Sequence, residues 1–474
     1  MRFAAALLVI VASAGRSHAQ APPPTFHETV EPLLQKHCVE CHRDGGSGPF
    51  PLESFGDVVG WAPQIREMVS TRRMPPWGAD PSVGKFKNDR SLPAATIETL
   101  VRWIDGGRPE GDPARAPPRR TWPKEWSLAE PPDLVLTTPT FHVPAEGTLL
   151  YEYPRLATGL ATSRWVRAAE VRTTNPQVVH HVLIFRGDGS RVRTGADAGA
   201  GKSAGAGASA SASAATIEPP WRPTFDPFQL LQGAKPNERP LYVQHLQKII
   251  ERDLRYGDSG GLNGYFLSGL SGGGAVTFAA DEGKFLSAGA TLVAQIHYQP
   301  NGKAADSTTS IALWFAPQDA KITKPLDTRG VSTAAFKIPP GDPNFEVRAR
   351  WRLPAAATLR SLQPHMHVRG KDFTFFAKLP PAKDGTPGEP GAEEKLLVVP
   401  HYDFNWQHEY ILAEPRRLPA GTVLEAVAHF DNSKANPANP DPTQTVWFGL
   451  QTYEEMMIGY FEAVWDPDEL DEGE

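Results

Sequence analysis

Cysteine is almost absent from this chain, which restricts how the protein can be stabilised. Only two of the 474 residues are cysteine, Cys38 and Cys41. Exported proteins usually use cysteines for disulfides, but here one motif contains both. If that motif uses both thiols, the rest of the chain has no disulfide and depends on core size and metal binding for stability.

A membrane-spanning run and a basic stripe are also missing. The apolar run at 3–12 is shorter than the ~20 residues of a transmembrane helix. It lies between Arg2 and the small residues Ser17 and Ala19, the layout of a cleavable secretory signal over 1–19. The net charge is -6, and no lysine or arginine stripe is present that would follow a phosphate backbone. We expect a soluble periplasmic or secreted protein, with no membrane span and no nucleic-acid partner.

The chain is too long for one hydrophobic core, because cores stop growing at ~250 to 300 residues. Apolar spacing predicts a helix from Thr25 to His37 and a second one around Leu100 to Asp105, which together form a small all-α unit. After the prolines at 117 and 118 the pattern changes to short alternating strands, at 177–185, 291–298 and 422–430. We expect a β-sandwich there.

Three other segments carry no chemistry in this interpretation. The Ala/Gly/Ser tract at 194–215 cannot bury apolar surface and is predicted to be a mobile insertion. Residues 241–254 have the apolar spacing of an amphipathic helix inserted in a β domain. The acidic run at 467–474 is predicted to be a solvated tail.

The two cysteines belong to Cys38-Val39-Glu40-Cys41-His42, the C-x-x-C-H pattern of covalent haem attachment. Both thiols would bond to the haem vinyl groups, and His42 would be the proximal iron ligand. A zinc half-site and a redox disulfide are the alternatives. Zinc would need further clustered ligands, and a thioredoxin-like motif would need a βαβ context.

Two methionines are candidates for the sixth iron ligand. Met74 stands in Arg73-Met74-Pro75-Pro76-Trp77, where the prolines prevent helix and would hold the thioether on a fixed loop. Met68 is the rival, but its position in a predicted helix suits a core methionine better. From Thr25 to about Asp112 the chain resembles a small bacterial cytochrome c domain, which implies one covalent haem c.

Five histidines farther along the chain lie in strand-like contexts. His365 and His367 form an H-x-H pair, and residues two apart in a strand point to the same face, so both can meet one metal. Two polar residues on the solvent-exposed face of a strand would show the same H-x-H pattern without binding a metal. His180 and His181 lie in an apolar strand, where adjacent residues face opposite ways, so joint ligation needs a bulge or local twist. His297, in a similar strand, fits a hydrogen-bonded core histidine equally well.

Taken together these histidines resemble the copper type II, ascorbate-dependent monooxygenases, the family of peptidylglycine α-hydroxylating monooxygenase and dopamine β-monooxygenase. The resemblance covers roughly residues 132–466. It implies one copper held by the adjacent pair and the Gln-x-His-Tyr histidine, and a second held by H-x-H and a methionine. The first set maps to His180, His181 and His297. The second maps to His365, His367 and Met456.

The methionine ligand and its surroundings follow from the same resemblance. A soft thioether favours Cu(I), the state that meets oxygen, so Met456 would mark the oxygen site. Its alternative is a core methionine, like Met457 beside it. Tyr460 is retained four residues later and would line the substrate pocket, although such an aromatic also fits a core. Gln363 replaces the arginine that binds the substrate carboxylate in peptide-hydroxylating members, which disfavours a glycine-extended peptide substrate.

The resemblance implies a multidomain fold. It has a cytochrome c-like domain at 20–116 and two antiparallel, jelly-roll-like β-sandwiches at 117–325 and 326–466, with a copper site in each and a solvent cleft between them. The expected activity is hydroxylation of an aliphatic C–H bond of a small organic substrate by O2. Electrons would come from a periplasmic donor or an ascorbate-like reductant through the haem. The alternatives are a non-catalytic electron-transfer or copper-binding protein and a structural β-sandwich protein.

Overall fold

The computed structural model describes residues 24–123, 125–147, 149–186, 261–269, 274–381, 392–449 and 451–466. The predicted signal at 1–19, the tract at 194–215, the helix at 241–254 and the tail at 467–474 lie outside these residues. Strands account for 38% and helices for 13% of the structure, which is consistent with the predicted β-sandwich domains. No helix in the described ranges has the length and apolar character needed to cross a membrane.

The helices precede the strands. The α-helices are α1 (Glu31–His37), α2 (Phe55–Gly60), α3 (Ala62–Ser70) and α4 (Ala94–Asp105). A π-helical turn at Phe26–Val30 leads into α1, and 3-10 turns occupy Pro113–Arg115 and Pro176–Val178. Both helices expected from apolar spacing are therefore confirmed. α4 begins after Pro93 and ends at Gly106. The prediction that residues 20–116 form a haem domain is not tested by these elements.

The helical region has its own small core. Phe26, Val30 and Leu34 are buried on the face that the spacing predicted, and they pack with Leu100 and Trp103 of α4. At the start of α2, Ser54 and Asp57 form a reciprocal capping box, which satisfies backbone donors that the helix itself leaves open. This packing fixes α1, and α1 in turn positions the Cys-His motif at its end.

The strands follow in chain order. The first eleven are β1 (Leu134–Thr137), β2 (Phe141–Val143), β3 (Arg155–Ala157), β4 (Arg164–Thr173), β5 (Val179–Arg186), β6 (Gly261–Asn263), β7 (Leu267–Gly269), β8 (Val276–Thr277), β9 (Glu282–Leu286), β10 (Thr291–Tyr298) and β11 (Ala305–Ser307). The other eleven are β12 (Thr309–Phe315), β13 (Lys324–Ser332), β14 (Lys337–Ile338), β15 (Phe345–Arg352), β16 (Ala357–His365), β17 (Gly370–Lys378), β18 (Glu393–Val399), β19 (Tyr410–Leu418), β20 (Val423–Phe430), β21 (Val446–Trp447) and β22 (Ile458–Trp465). The three strands expected at 177–185, 291–298 and 422–430 are confirmed as β5, β10 and β20.

A long sheet runs through the β region, with strand order β1-β12-β4-β9-β13-β22-β16-β19. Two four-stranded sheets, β3-β10-β5-β7 and β15-β20-β17-β18, complete the layers. One hydrophobic cluster contains residues of β4, β12, β5 and β10, and a larger one contains residues of β16, β22, β17 and β20. Each cluster therefore joins one part of the long sheet to one of the shorter sheets. The domain boundaries remain a prediction; β13 spans the expected boundary at 325/326, and its residues 329–331 pair with β6 on the other side of it.

Candidate metal centre

The Cys-His motif forms a tight turn directly after α1. The backbone N–H of His42 donates to the carbonyl of Cys38 at 2.9 Å. No disulfide joins Cys38 and Cys41. Burial raises the pKa of the Cys38 thiol to about 12. Among the described residues no zinc-like group of His, Cys or acidic side chains includes this motif.

The His42 ring is held in one orientation. Its Nδ1 lies 3.1 Å from the carbonyl oxygen of Phe50, and a hydrogen bond donated there leaves Nε2 free. Gly48 permits this close packing, because a Cβ at that position would lie 2.8 Å from Nδ1 of His42. An imidazole with Nδ1 bound to a backbone carbonyl and Nε2 available fits a proximal haem ligand.

The two candidate sixth ligands lie at the end of α3. Met68 is within that helix, and the backbone N–H of Met74 donates to its carbonyl at 3.2 Å. Both side chains are half-buried, so Met68 is not the fully buried core methionine that the helical position favours. Burial does not distinguish the two residues, and Met74 stays our prediction for the sixth ligand.

His180, His181 and His297 come together as the resemblance implies. The strand β5 is antiparallel to β10 and places His181 opposite His297, whereas Val179 is opposite Tyr298. The register therefore shifts by one residue, and His180 is the extra residue of a bulge. This is the irregularity that joint ligation by adjacent histidines requires, because the bulge turns both rings to the same side.

The three imidazoles form the one group of three or more His, Cys or acidic residues in the described ranges whose atoms converge as metal ligands do. One ligand atom from each ring lies within 4.8 Å of the others. Nδ1 of His180 is 3.0 Å from Nδ1 of His181 and 3.1 Å from Nδ1 of His297. Three neutral imidazole nitrogens that face each other at this distance are a suitable donor set for copper.

Burial keeps these rings uncharged. It lowers the pKa of His180 to about 4 and that of His297 to about 3, and it holds the pKa of His181 well below its usual value. Nε2 of His180 and Nε2 of His181 are buried without a hydrogen-bond partner among the described residues. A metal bound at the Nδ1 atoms would not satisfy these Nε2 atoms, so the fit to a metal rests on the three facing Nδ1 atoms.

The H-x-H pair is near the triad, but its local structure differs from the prediction. His365 is the last residue of β16, and His367 lies in the turn before β17. The two rings are 5.4 Å apart between centroids. The prediction that both imidazoles project from one strand is therefore wrong. The turn is held by Glu455, whose carboxylate accepts from the backbone N–H groups of His367 and Arg369 at 2.9 and 2.7 Å.

Both rings of the pair are oriented by hydrogen bonds at Nδ1. Nδ1 of His365 donates to Oε1 of Gln407 at 2.5 Å, and Nδ1 of His367 donates to the carbonyl of Glu454 at 3.0 Å. Nε2 of His367 is buried and has no hydrogen-bond partner in the part of the chain that the structure describes. Burial lowers the pKa of His365 to about 4 and that of His367 well below the usual value. The pair thus offers neutral Nε2 atoms to a metal, whereas the triad offers Nδ1 atoms.

Met456 is buried in the larger core, as is Met457 next to it. Glu454 and Glu455, the two residues before Met456, both hydrogen bond to His367, which places Met456 within two residues of both contacts. Burial raises the pKa of Glu455 to about 8. The structure therefore brings the methionine's segment to the H-x-H turn, and thioether ligation by Met456 remains a prediction.

The two histidine groups adjoin each other. The ring centroids of His181 and His365 are 6.5 Å apart. Four of the five histidines are buried, and Tyr151 contacts rings of both groups. Aromatic side chains thus contact both groups, and the solvent cleft expected between the two sites stays a prediction.

A loop between β18 and β19 supplies contacts that sequence patterns did not reveal. Phe404 stacks on His180 at 4.9 Å and also contacts the rings of His297 and His367. Gln407 orients His365. These residues follow no helical or strand periodicity, so only the tertiary contacts identify them.

A cavity of about 150 Å³ lies beside the histidines. His181, His365 and Gln363 line it, together with Tyr460, which was expected to face a substrate pocket. Gln363 and Tyr460 are directly opposite each other on β16 and β22. The helical region contributes Arg90 to the same wall.

The helical region contacts the β region close to both histidine groups. Nε2 of Gln177, three residues before His180, donates to the carbonyl of Gly48 at 3.2 Å. Lys87 and Ile411 are joined by a backbone hydrogen bond of 2.8 Å. The ring of Trp77 lies 6.0 Å from that of His408. The segment that contains the Cys-His motif is therefore held close to the histidine groups by direct contacts.

Comparisons with known proteins do not extend this picture. No protein-family model matches the chain, and no curated protein matches it. Among solved structures, the infectious bursal disease virus VP2 subviral particle is 10% identical over 72% of this chain and 73% of that one, with a TM-score of 0.16. The Gx strain of the same virus is 9% identical over 72% and 82%, also with a TM-score of 0.16. Similarity at this level carries no argument about function.

Proposed function

We propose that the chain is an exported oxidoreductase with one covalent haem and two copper ions, which hydroxylates an aliphatic C–H bond of a small organic substrate using O2. The convergence of His180, His181 and His297 within 4.8 Å carries this proposal, because it supports the ligand set that the sequence resemblance implies. The second group, His365 and His367 with Met456, lies beside it.

Copper bound to the two histidine groups would supply one-electron redox chemistry and oxygen activation, and the haem would supply electrons. The protein itself would position the imidazole ligands and exclude water from the site. The bulge in β5 turns His180 and His181 to one side, and Gln407 sets the orientation of His365. Burial of the imidazoles keeps them neutral and keeps water away from the reaction site.

The contacts of the helical region support an internal route for electrons. Gly48 packs against His42 and accepts a hydrogen bond from Gln177, which leads along the chain to His180. A periplasmic donor or an ascorbate-like reductant would reduce the haem, which would pass electrons to the three-histidine group. The region from Thr25 to Asp112 then acts as a built-in reductase.

Metal content tests the ligand assignment first. We expect one haem and two coppers per chain when the protein is made in a host that exports it and attaches haem. His297→Ala should lower the copper content to one and leave the haem spectrum unchanged. His142→Ala is the matched control, because that exposed histidine bonds to Asp306 and to none of the five candidate copper-binding histidines among the described contacts. Haem without tightly bound copper in the wild type would contradict the proposal.

Two neighbouring methionines test the catalytic assignment. Met456→Leu should abolish product formation and remove the sulfur ligand from the X-ray absorption spectrum of Cu(I) protein, while haem reduction continues. Met457→Leu, an equally buried change of similar volume, should alter neither. Copper-bound protein that consumes no O2 above background with candidate substrates would instead support a non-catalytic electron-transfer or copper-binding protein.

A further inference from the structure

Residues 76–88 of the helical region lie along the edges of two sheets of the β region. β18 and β19 are each the last strand of a sheet, and an edge strand presents backbone groups with which another segment can pair. The backbone N–H of Asp80 donates to the carbonyl of Val398 in β18 at 2.8 Å. The backbone N–H of Lys87 donates to the carbonyl of Ile411 in β19, also at 2.8 Å. We call residues 76–88 the docking segment, because they bond to both edges.

The side chain of Asn88 extends the pairing with β19. Next to it, Phe86 and Leu412 form an antiparallel bridge. Nδ2 of Asn88 donates to the carbonyl of Glu409 at 2.7 Å, and Oδ1 accepts from the backbone N–H of Ile411 at 3.0 Å. One side-chain amide thus bonds to a backbone acceptor and a backbone donor, as a neighbouring strand would.

The loop at 400–409 connects β18 to β19, so the docking segment holds this loop at both ends. Nδ1 of His365 donates to Gln407 of the loop at 2.5 Å. Gln407 lies two residues before Glu409, whose carbonyl is bound by Asn88. A residue of the helical region is therefore connected to a ring of the H-x-H pair through one short piece of backbone.

Side-chain packing holds the second end of the loop as well. The ring of Trp77 lies 6.0 Å from that of His408 and 4.8 Å from that of Tyr410. The ring of His408 also hydrogen bonds to the backbone of Pro76. Gly78 permits this close approach, because a Cβ there would lie 3.0 Å from the hydroxyl of Tyr410. Ring contacts and backbone bonds thus act on the same end of the loop.

We propose that the docking segment holds the loop at 400–409 in place and that Asn88 is a positioning residue for the H-x-H group. The amide of Asn88 fixes the backbone next to Gln407, and Gln407 fixes the tautomer and orientation of His365. A ligand that is already oriented binds a metal more tightly than one that must be ordered on binding. The helical region is then a structural part of this group, in addition to its proposed supply of electrons. The inference rests on the proposed function, because it takes His365 to be a copper ligand.

Hydrogen–deuterium exchange of the full chain tests the first step, and this measurement needs no bound copper. Asn88→Ala removes both bonds of the amide, so exchange of the backbone N–H groups at 400–411 should become about tenfold faster. Exchange in β20 should stay the same, because that strand lies inside the other sheet. Unchanged exchange at 400–411 would overturn the proposal.

A competition titration of the full chain with Cu(I) tests the second step. Asn88→Ala should weaken the H-x-H site by about tenfold. The three-histidine site should change less, because neither Asn88 nor Gln407 bonds to its rings in the described contacts. Faster exchange in the loop with unchanged copper affinity would overturn the proposal, since the docking segment would then only join the two regions.

A double-mutant cycle shows whether Asn88 acts through Gln407. In Gln407→Leu the ring of His365 has already lost its partner, so adding Asn88→Ala should weaken the H-x-H site little further. Purely structural damage by Asn88→Ala would add in full to that of Gln407→Leu, and this result would contradict the positioning role.

Ser82→Ala is the control within the docking segment. The exposed hydroxyl of Ser82 bonds to Asp80 of the same segment at 2.7 Å, and its loss should change neither exchange nor copper affinity. If Asn88→Ala does not fold, Lys87→Pro decides. It changes an exposed side chain, removes the backbone N–H bonded to Ile411 and should produce the same two changes.

The two measurements also separate this inference from the proposed function. Faster exchange and weaker copper binding in Asn88→Ala, in a protein that consumes no O2, would support the positioning role and contradict the monooxygenase. Copper-dependent O2 consumption with an unaffected loop in Asn88→Ala would have the opposite meaning.

Discussion

Gln407 is predicted to control metal affinity at the H-x-H group without being a ligand. Its Oε1 accepts the hydrogen bond from Nδ1 of His365 at 2.5 Å, which fixes the tautomer with Nε2 toward the metal. Gln407→Leu keeps a side chain of similar size and removes the acceptor. The His365 ring then loses its orientation and leaves a buried N–H without a partner.

The magnitude follows from the role of the hydrogen bond. Loss of such an outer partner typically lowers metal affinity by roughly 10- to 100-fold, or about 1.4 to 2.8 kcal/mol. The three-histidine group should change much less, since Gln407 bonds to none of its members in the described contacts. Gln407→Glu restores an acceptor and should recover most of the affinity.

The assay is a competition titration of the full chain with Cu(I) and a chromophoric chelator, fitted to two sites. We expect Gln407→Leu to weaken one site selectively. Gln318→Leu, an exposed change between β12 and β13, is the control for a general effect of the substitution. Equal loss at both sites would indicate that the loop carrying Phe404 has moved. Unchanged affinity at both sites would refute the assignment of His365 as a ligand.

Two glycine substitutions test close packing predicted from the structure. Gly48→Ala would place a Cβ 2.8 Å from Nδ1 of His42, so covalent haem incorporation, measured by absorbance per chain, should fall, whereas Gly60→Ala, with open space around its Cβ, should not change it. Normal incorporation in the Gly48 variant would contradict the packing at the motif. Gly459→Ala would place a Cβ 2.5 Å from the ring of Phe375 and should lower the free energy of unfolding by about 1 to 3 kcal/mol in chemical denaturation. A stability equal to that of the wild type would show that the sheets separate more easily than their packing implies.

Local patterns were sufficient for the regular elements. The apolar spacing around Phe26 and Leu100 predicted two helices, because side chains three and four apart share a helix face. The strand at 291–298 was predicted with the bounds that the structure has. The Cys38 to His42 motif and the His180-His181 pair were recognisable from residue type and spacing, since metal and haem chemistry restricts both.

Other features depend on residues far apart in the chain. The bulge that brings His180 to His181 exists because β5 pairs with β10, and the placement of His367 in a turn depends on Glu455, 88 positions later. The sequence predicted one strand for the H-x-H pair, because alternation cannot show where β16 ends. The short distance between the rings of His181 and His365 was not predicted for a related reason: nothing in the local pattern indicates which side chains will meet across the sheets.

The sequence by itself determined the types of donor that are present and the helices and strands that carry them, since both follow from side-chain chemistry and short-range periodicity. Only the tertiary structure decided which nitrogen of each imidazole is free, how close the two histidine groups lie, and that Arg90 of the helical region lines the same cavity as His365. Those properties are set by hydrogen bonds and packing between segments that lie far apart in the chain, which no local pattern encodes.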